Sequence, residues 1–113
     1  MKSKILALSK NEDFKSLLKK RKVGNKFVTI FFGNLKGKDS KRLNISFVTK
    51  KKIGNAVKRN KIKRRLRNII NEAVKKVSIN FNYSFLVIAK PTMLNNDYFN
   101  IKETLFKDFK RIK

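Results

Sequence analysis

Residues 50–67 hold the densest chemistry in the chain. Ten of these 18 residues are Lys or Arg (Lys50, Lys51, Lys52, Lys58, Arg59, Lys61, Lys63, Arg64, Arg65 and Arg67), and none is acidic. The other 95 positions carry 21 basic residues, so the density here is more than double. Side chains of this kind bind phosphate, Lys as a point charge and Arg as a planar fork. Asn55 is placed to cap a helix that starts behind it, and most of the cations then fall in the first half of that helix. The macrodipole disfavours positive charge there by roughly 0.3–1 kcal/mol per residue near the terminus. A helix shaped only by its own stability carries Asp or Glu at that end. The arrangement runs against local stability, which points to selection for binding. A solvated basic face is the plain alternative, but acids normally interleave on such a face.

The helix that carries these cations should run to about residue 77. Its apolar stripe is Ile62, Leu66, Ile69, Ile70, Ala73 and Val77, within about 100° of arc. The cations occupy the arc opposite, with Arg59 as the exception. Arg59 falls in phase with the stripe but precedes its start. It either projects past the core edge toward a ligand or caps a core polar group.

The whole chain amplifies the local signal. Its 113 residues include 31 Lys or Arg and 7 Asp or Glu, so the net charge is 31 − 7 = +24. Self-repulsion of that size costs stability unless a polyanion relieves it. Apolar residues make up 41% of the chain and ten are Phe, enough for one small core in a single domain spanning 1–113, with loose tails at about 1–7 and 110–113. The chain has no Cys and no His. Thiolate and imidazole metal sites, thiol nucleophiles and the commonest general base are thereby excluded. The seven acids are Glu12, Asp13, Asp39, Glu72, Asp97, Glu103 and Asp108, and no two are spaced as an acid/base or metal-binding pair. The longest apolar run, Phe85-Leu86-Val87-Ile88-Ala89, is far short of the roughly 20 residues that span a bilayer. The apolar stretch at residues 5–8 is too short for a signal peptide, so a cytoplasmic protein without a membrane partner is expected.

The surrounding elements follow from pattern. Ser9-Lys10-Asn11-Glu12 fits a capping box, with Asp13 adding a second acid in the first turn. Phe14, Leu17 and Leu18 then share one face of a helix ending near residue 20. Residues 27–32 read as a strand, with Phe27, Thr29 and Phe31 on one face and Val28, Ile30 and Phe32 on the other. Leu43, Ile45 and Phe47 alternate with Asn44 and Ser46 in a second strand, and the two strands suggest an antiparallel hairpin. Residues 85–89 are apolar on both alternations, as in a central strand, and Pro91 ends them. A last helix, capped by Asn95 or Asn96, carries Tyr98, Ile101, Leu105, Phe109 and Ile112. Glu72 with Lys76, and Glu103 with Lys107, have i,i+4 spacing. The order α-β-β-α-β-α suggests an α+β chain folded as a two-layer α/β sandwich on one mixed sheet.

The run Lys51-Lys52-Ile53-Gly54-Asn55-Ala56-Val57-Lys58-Arg59-Asn60-Lys61-Ile62-Lys63-Arg64-Arg65-Leu66-Arg67 resembles the signature of the bacterial ribonuclease P protein subunit. That signature centres on Arg-Asn-Arg, here Arg59-Asn60-Lys61; the third position keeps its charge but loses the bidentate fork. Residues 8–14 resemble the family's first helix, and Ala89-Lys90-Pro91 the end of its last strand. The resemblance implies an accessory subunit of the ribonuclease P endoribonuclease, partnered 1:1 as a monomer with the catalytic RNA and with precursor tRNA. In that assembly the RNA and its Mg2+ ions cleave off the 5′ leader, and the protein supplies no catalytic side chain and binds no cofactor alone. It implies RNA contacts from Lys51, Lys52, Asn55, Lys58, Arg59, Asn60, Lys61, Lys63, Arg64 and Arg67, and a leader cleft at Phe14, Leu18 and Lys90. Leu18 stands where the family often has a second aromatic, and Leu does not stack on a base as an aromatic does. The resemblance also implies a left-handed β-α-β crossover, where the general rule would favour a right-handed one.

Two other classes fit part of the pattern. A ribosomal protein binding rRNA matches the composition equally well, but charge alone does not place Gly54, Asn55 and Asn60 at their spacings. A cationic membrane binder needs a broad exposed apolar face, and the stripe beginning at Ile62 is better used as core.

Overall fold

Five consecutive apolar residues at 85–89 need cover on both faces, and the middle of a sheet provides it. In the computed structural model, which describes residues 5–8 and 10–112, five strands lie in the order β1-β4-β5-β3-β2. The strands are β1 (Ile5–Leu6), β2 (Arg21–Gly24), β3 (Val28–Asn34), β4 (Leu43–Val48) and β5 (Tyr83–Ala89). The helices are α1 (Asn11–Leu18), α2 (Ala56–Lys76) and α3 (Tyr98–Arg111). β5 runs antiparallel to β3 and parallel to β4. β2 is antiparallel to β3, and β1 is parallel to β4. The sheet is mixed and the class is α+β, as expected.

The expected hairpin of β3 with β4 does not form, because β5 inserts between them. Only a central position covers both faces of β5, and that demand outweighs the tendency of consecutive strands to pair. Val28, Ile30, Phe32, Phe85, Val87 and Ala89 join the core formed with Ile62, Leu66, Ile69 and Ile70 of α2 and Ile101, Leu105 and Phe109 of α3. Phe32 lies opposite Phe85 in register, and their rings stack at 6.3 Å between centroids. Phe109 meets Phe85 edge-on at 5.5 Å. On the other face Phe31, Val48, Leu86 and Ile88 pack with Leu8, Phe14 and Leu17. Helices therefore cover both faces, α1 adding a layer to the sandwich read from the sequence. Phe27, one residue ahead of β3, leaves the alternation and is fully buried in the α2/α3 core.

Two short strands carry little sequence signal. β2 has only Val23 as a large apolar residue, and its Arg21 and Lys22 are exposed. Cations on an edge strand discourage pairing with another chain. β1 falls in a stretch expected to be loose. At the other end Ile112 is buried, so α3 stays packed into the tail expected to be free. The expected cap Ser9 lies outside the described residues; Lys10 holds the N-cap position without a side-chain bond, and Glu12 and Asp13 fill the first turn. Asp97, rather than Asn95 or Asn96, caps α3 by accepting the Asn100 N–H at 2.8 Å. The 3₁₀ turn Pro91–Asn95 occupies the segment before it. Glu72 pairs across to Lys102 of α3 at 3.5 Å instead of along its own helix to Lys76.

Candidate nucleic-acid interface

The basic helix starts at a constrained junction. The 3₁₀ turn Lys51–Ile53 buries Ile53 and leaves Lys51 and Lys52 exposed. Gly54 follows at φ +149°, which L side chains rarely adopt, and a Cβ there would meet Lys58 Cδ at 2.8 Å. Glycine is thus needed for the chain to turn into α2. Asn55 caps the helix as expected: its Oδ1 accepts the Lys58 N–H at 3.0 Å. No acid lies in the first turn, so the positive end of the helix dipole and the cations add to one another.

The named side chains divide by environment. Asn55, Lys58, Asn60, Lys61, Lys63, Arg64 and Arg67 are exposed. Arg59 is half-buried, and its shielded Nε has no hydrogen-bond partner. It therefore caps no core polar group through that nitrogen. Arg65 is also half-buried, but its Nη1 reaches the carbonyls of Met93 and Asn96, both at 3.4 Å. Arg65 ties α2 to the turn ahead of α3. Arg59, Lys63 and Arg67 stand at i, i+4 and i+8, a row along one edge of the helix with a rise of about 6 Å between neighbours.

That row leads into a cleft. Lys63 and Arg67 line it together with Phe14, Leu8 and residues 45–48 of β4, around a volume of about 260 Å³. β1 pairs with Leu43 and Asn44, its Ile5 and the following Ala7 line the cleft as well, and residues 45–48 of β4 have no described strand along that edge. α1 is held beside the cleft by an ion pair between Asp13 and Lys38 at 2.6 Å. Phe14 is thus brought beside Lys63 and Arg67, which lie far from it in the chain. Leu18 is one turn beyond Phe14, 49% exposed, and does not line the cleft. Lys90 does not line it either. Its Nζ donates to the Asn25 carbonyl at 2.5 Å and its N–H to the Phe27 carbonyl at 2.8 Å, so it serves the turn before β3.

Sequence reasoning missed Ile5, Ala7, Leu8 and residues 45–48 as lining residues. Ser46 was legible only as a polar residue on an alternating strand. Its neighbour Asn44, expected to face polar surroundings, is buried and satisfies the carbonyls of Asp39 and Arg42. Larger hollows of about 390 and 440 Å³ lie around Lys110 and contain none of the motif residues. The cations at that end, Lys75 and Lys76 of α2 with Lys110 and Arg111 of α3, sit where the helix dipole favours them. Their placement needs no ligand.

Five of the seven acids are occupied elsewhere. Asp108 is buried and accepts from Asn25 at 2.5 Å and Arg111 at 3.0 Å. Asp13 and Glu72 are in ion pairs, Asp97 caps α3, and Asp39 accepts the Lys41 N–H in its turn. Among the described residues no three acidic side chains stand together to hold a metal ion.

Comparison with known proteins bears on this arrangement. A family model described as Ribonuclease P matches residues 3–113. The ribonuclease P protein component of Carboxydothermus hydrogenoformans is 31% identical over 110 residues, spanning 94% of this chain and 90% of that protein. The component from Bacillus cereus is 32% identical over 105 residues, spanning 92% and 88%. Among solved structures, the RNase P protein from Thermotoga maritima superposes with a TM-score of 0.79 at 26% identity, covering 96% of this chain and 98% of that one. The Staphylococcus aureus RNase P protein gives a TM-score of 0.74 at 34% identity, covering 94% and 93%.

Proposed function

The chain belongs to the ribonuclease P protein family, and from that premise we propose that it binds the catalytic RNA through the face around α2 and holds the 5′ leader of precursor tRNA in the cleft beside Phe14. The observation that carries this reading is the convergence of Phe14, Lys63 and Arg67 on one cleft. An aromatic ring beside cations suits single-stranded RNA, because every base has a face to stack and every linkage a phosphate to pair. The exposed cations Lys51, Lys52, Lys58, Lys61 and Arg64, with Asn55 and Asn60, form the surface toward the catalytic RNA. The shielded, unpartnered Nε of Arg59 gains most from a phosphate, since a buried donor left unpaired costs about 1–3 kcal/mol.

In this reading the RNA performs the hydrolysis. Mg2+ would supply charge stabilisation to the scissile phosphate and an activated water, held by RNA phosphates, because no three acids of the described residues stand together to hold it. The protein acts in the cytoplasm as a monomer, one copy per RNA, and raises the local affinity for leader-bearing substrate. The test is reconstitution with the cognate RNA and precursor tRNA. Faster cleavage at low magnesium is expected; no stimulation at any point of a magnesium titration overturns the reading.

A further inference from the structure

Beyond Leu6 the N-terminal segment leaves the strand ladder, yet it stays against β4. The link is one hydroxyl. Ser46 Oγ accepts the Leu8 N–H at 2.8 Å and donates to the Leu8 carbonyl at 2.8 Å. Both backbone groups of Leu8 are satisfied by a single side-chain atom, which takes the place of a neighbouring strand. A serine hydroxyl is suited to this, because donor and acceptor share one short-reach atom.

We propose that Ser46 is a positioning residue that sets the geometry of the leader cleft by latching the N-terminal segment to β4. The inference rests on the leader reading above and deepens it. Leu8, held in this way, is 5% exposed and packs with Leu17 of α1 and Leu86 of β5. Lys10, two residues on, is the N-cap of α1, so the latch fixes where that helix begins. Phe14 follows within two turns. Ser46, Leu8, Phe14, Lys63 and Arg67 all border the same cleft. The hydroxyl thus holds the wall that carries the ring at a set distance from the wall that carries the cations. A strand of RNA that stacks one base on Phe14 while its phosphates meet Lys63 and Arg67 needs that spacing preset. Without the hydroxyl, the N–H and carbonyl of Leu8 lose their partners beside an apolar cluster and turn to water, drawing the segment off β4.

The experiment uses holoenzyme reconstituted with its cognate RNA, and measures Kd for precursor tRNA with a 5′ leader and for leaderless tRNA. Wild type is expected to prefer the leader-bearing form. Ser46→Ala is expected to lose about tenfold of that preference, the scale of one to two net hydrogen bonds, with affinity for the catalytic RNA retained. Ser46→Thr keeps the hydroxyl and is expected to keep the preference. In the free protein, the Leu8 amide is expected to exchange its hydrogen faster in Ser46→Ala alone. A preference undiminished in Ser46→Ala overturns the inference, even where Leu8 exchange accelerates. An equal loss in Ser46→Thr also overturns it. If wild type itself shows no preference, the leader reading has failed, and the latch inference falls with it.

Discussion

Phe14 and Arg67 border one cleft, the ring brought by α1 and the guanidinium by α2. Neither residue makes a binding site alone. Together they offer a stacking surface and a bidentate phosphate partner within reach of a single nucleotide chain. The first prediction follows from the ring. Phe14→Ala is expected to weaken binding of leader-bearing precursor tRNA by about 1–3 kcal/mol, with little change for leaderless tRNA. Equal losses for both substrates would place the ring outside leader recognition.

Leu18 gives the converse test. It lies one turn beyond Phe14 and is 49% exposed, so a larger side chain meets no core. Leu18→Phe is expected to extend the stacking surface and tighten leader-bearing substrate by about 1 kcal/mol. Filter binding across leaders of increasing length provides the measurement, and no gain at any length counts against the extension.

Two arginines of the motif helix should behave differently. Arg59→Ala with Lys63→Ala is expected to reduce the slope of log affinity against log salt by roughly one to two units. Arg65→Ala removes the donor shared by the Met93 and Asn96 carbonyls. It is expected to lower folding stability by about 1 kcal/mol and to leave the slope nearly unchanged. A salt titration with a parallel urea melt separates the two effects, and a slope that responds only to Arg65 would reverse the assignment.

The turn before β3 is a stability determinant. Asn25 Oδ1 accepts the N–H groups of Phe27 and Val28 at 2.7 and 2.9 Å, and its Nδ2 donates to buried Asp108. Asn25→Ala removes all three bonds and is expected to cost about 2–4 kcal/mol. Lys90→Met removes one bond to the same turn and should cost about 1 kcal/mol, without altering the preference for a leader. Urea midpoints check both variants. A lost leader preference in Lys90→Met would return that lysine to the cleft.

Sequence legibility tracked how local each signal is. The motif helix was read almost to the residue, because the Asn55 cap, the stripe from Ile62 to Ala73 and the acid-free first turn are all written within α2. The central place of β5 was legible from its unbroken apolar run. The pairing of β3 was not, since it depends on which strand most needs two covered faces, a comparison across the whole chain. β2 and β1 were missed because their pairing comes from the edges offered by β3 and β4, with little apolar pattern of their own. In the cleft, Phe14 was read from its helix face and family resemblance, whereas Lys63 and Arg67 were read as RNA-binding cations of α2 and not as cleft residues. Ser46 was not read as either, because its partners are backbone groups of Leu8, and backbone positions leave no trace in residue types.

The insertion of β5 also has a consequence in time. Val28 pairs with Ala89 and Asn44 through Val48 pair with the same late strand, so the sheet is assembled from contacts distant in the chain, which slows folding. A ribosome adding about 5–20 residues per second completes α2 before the strand that seats it. Until residues 83–89 emerge, Ile62, Leu66, Ile69 and Ile70 have no finished sheet to lie against. The basic segment therefore gains its fixed shape only when synthesis has passed β5, and a chain cut at residue 82 is expected to be digested by protease along its whole length. Recognition of the RNA is in this sense a proof of completed translation: an unfinished chain has the charge but not the form.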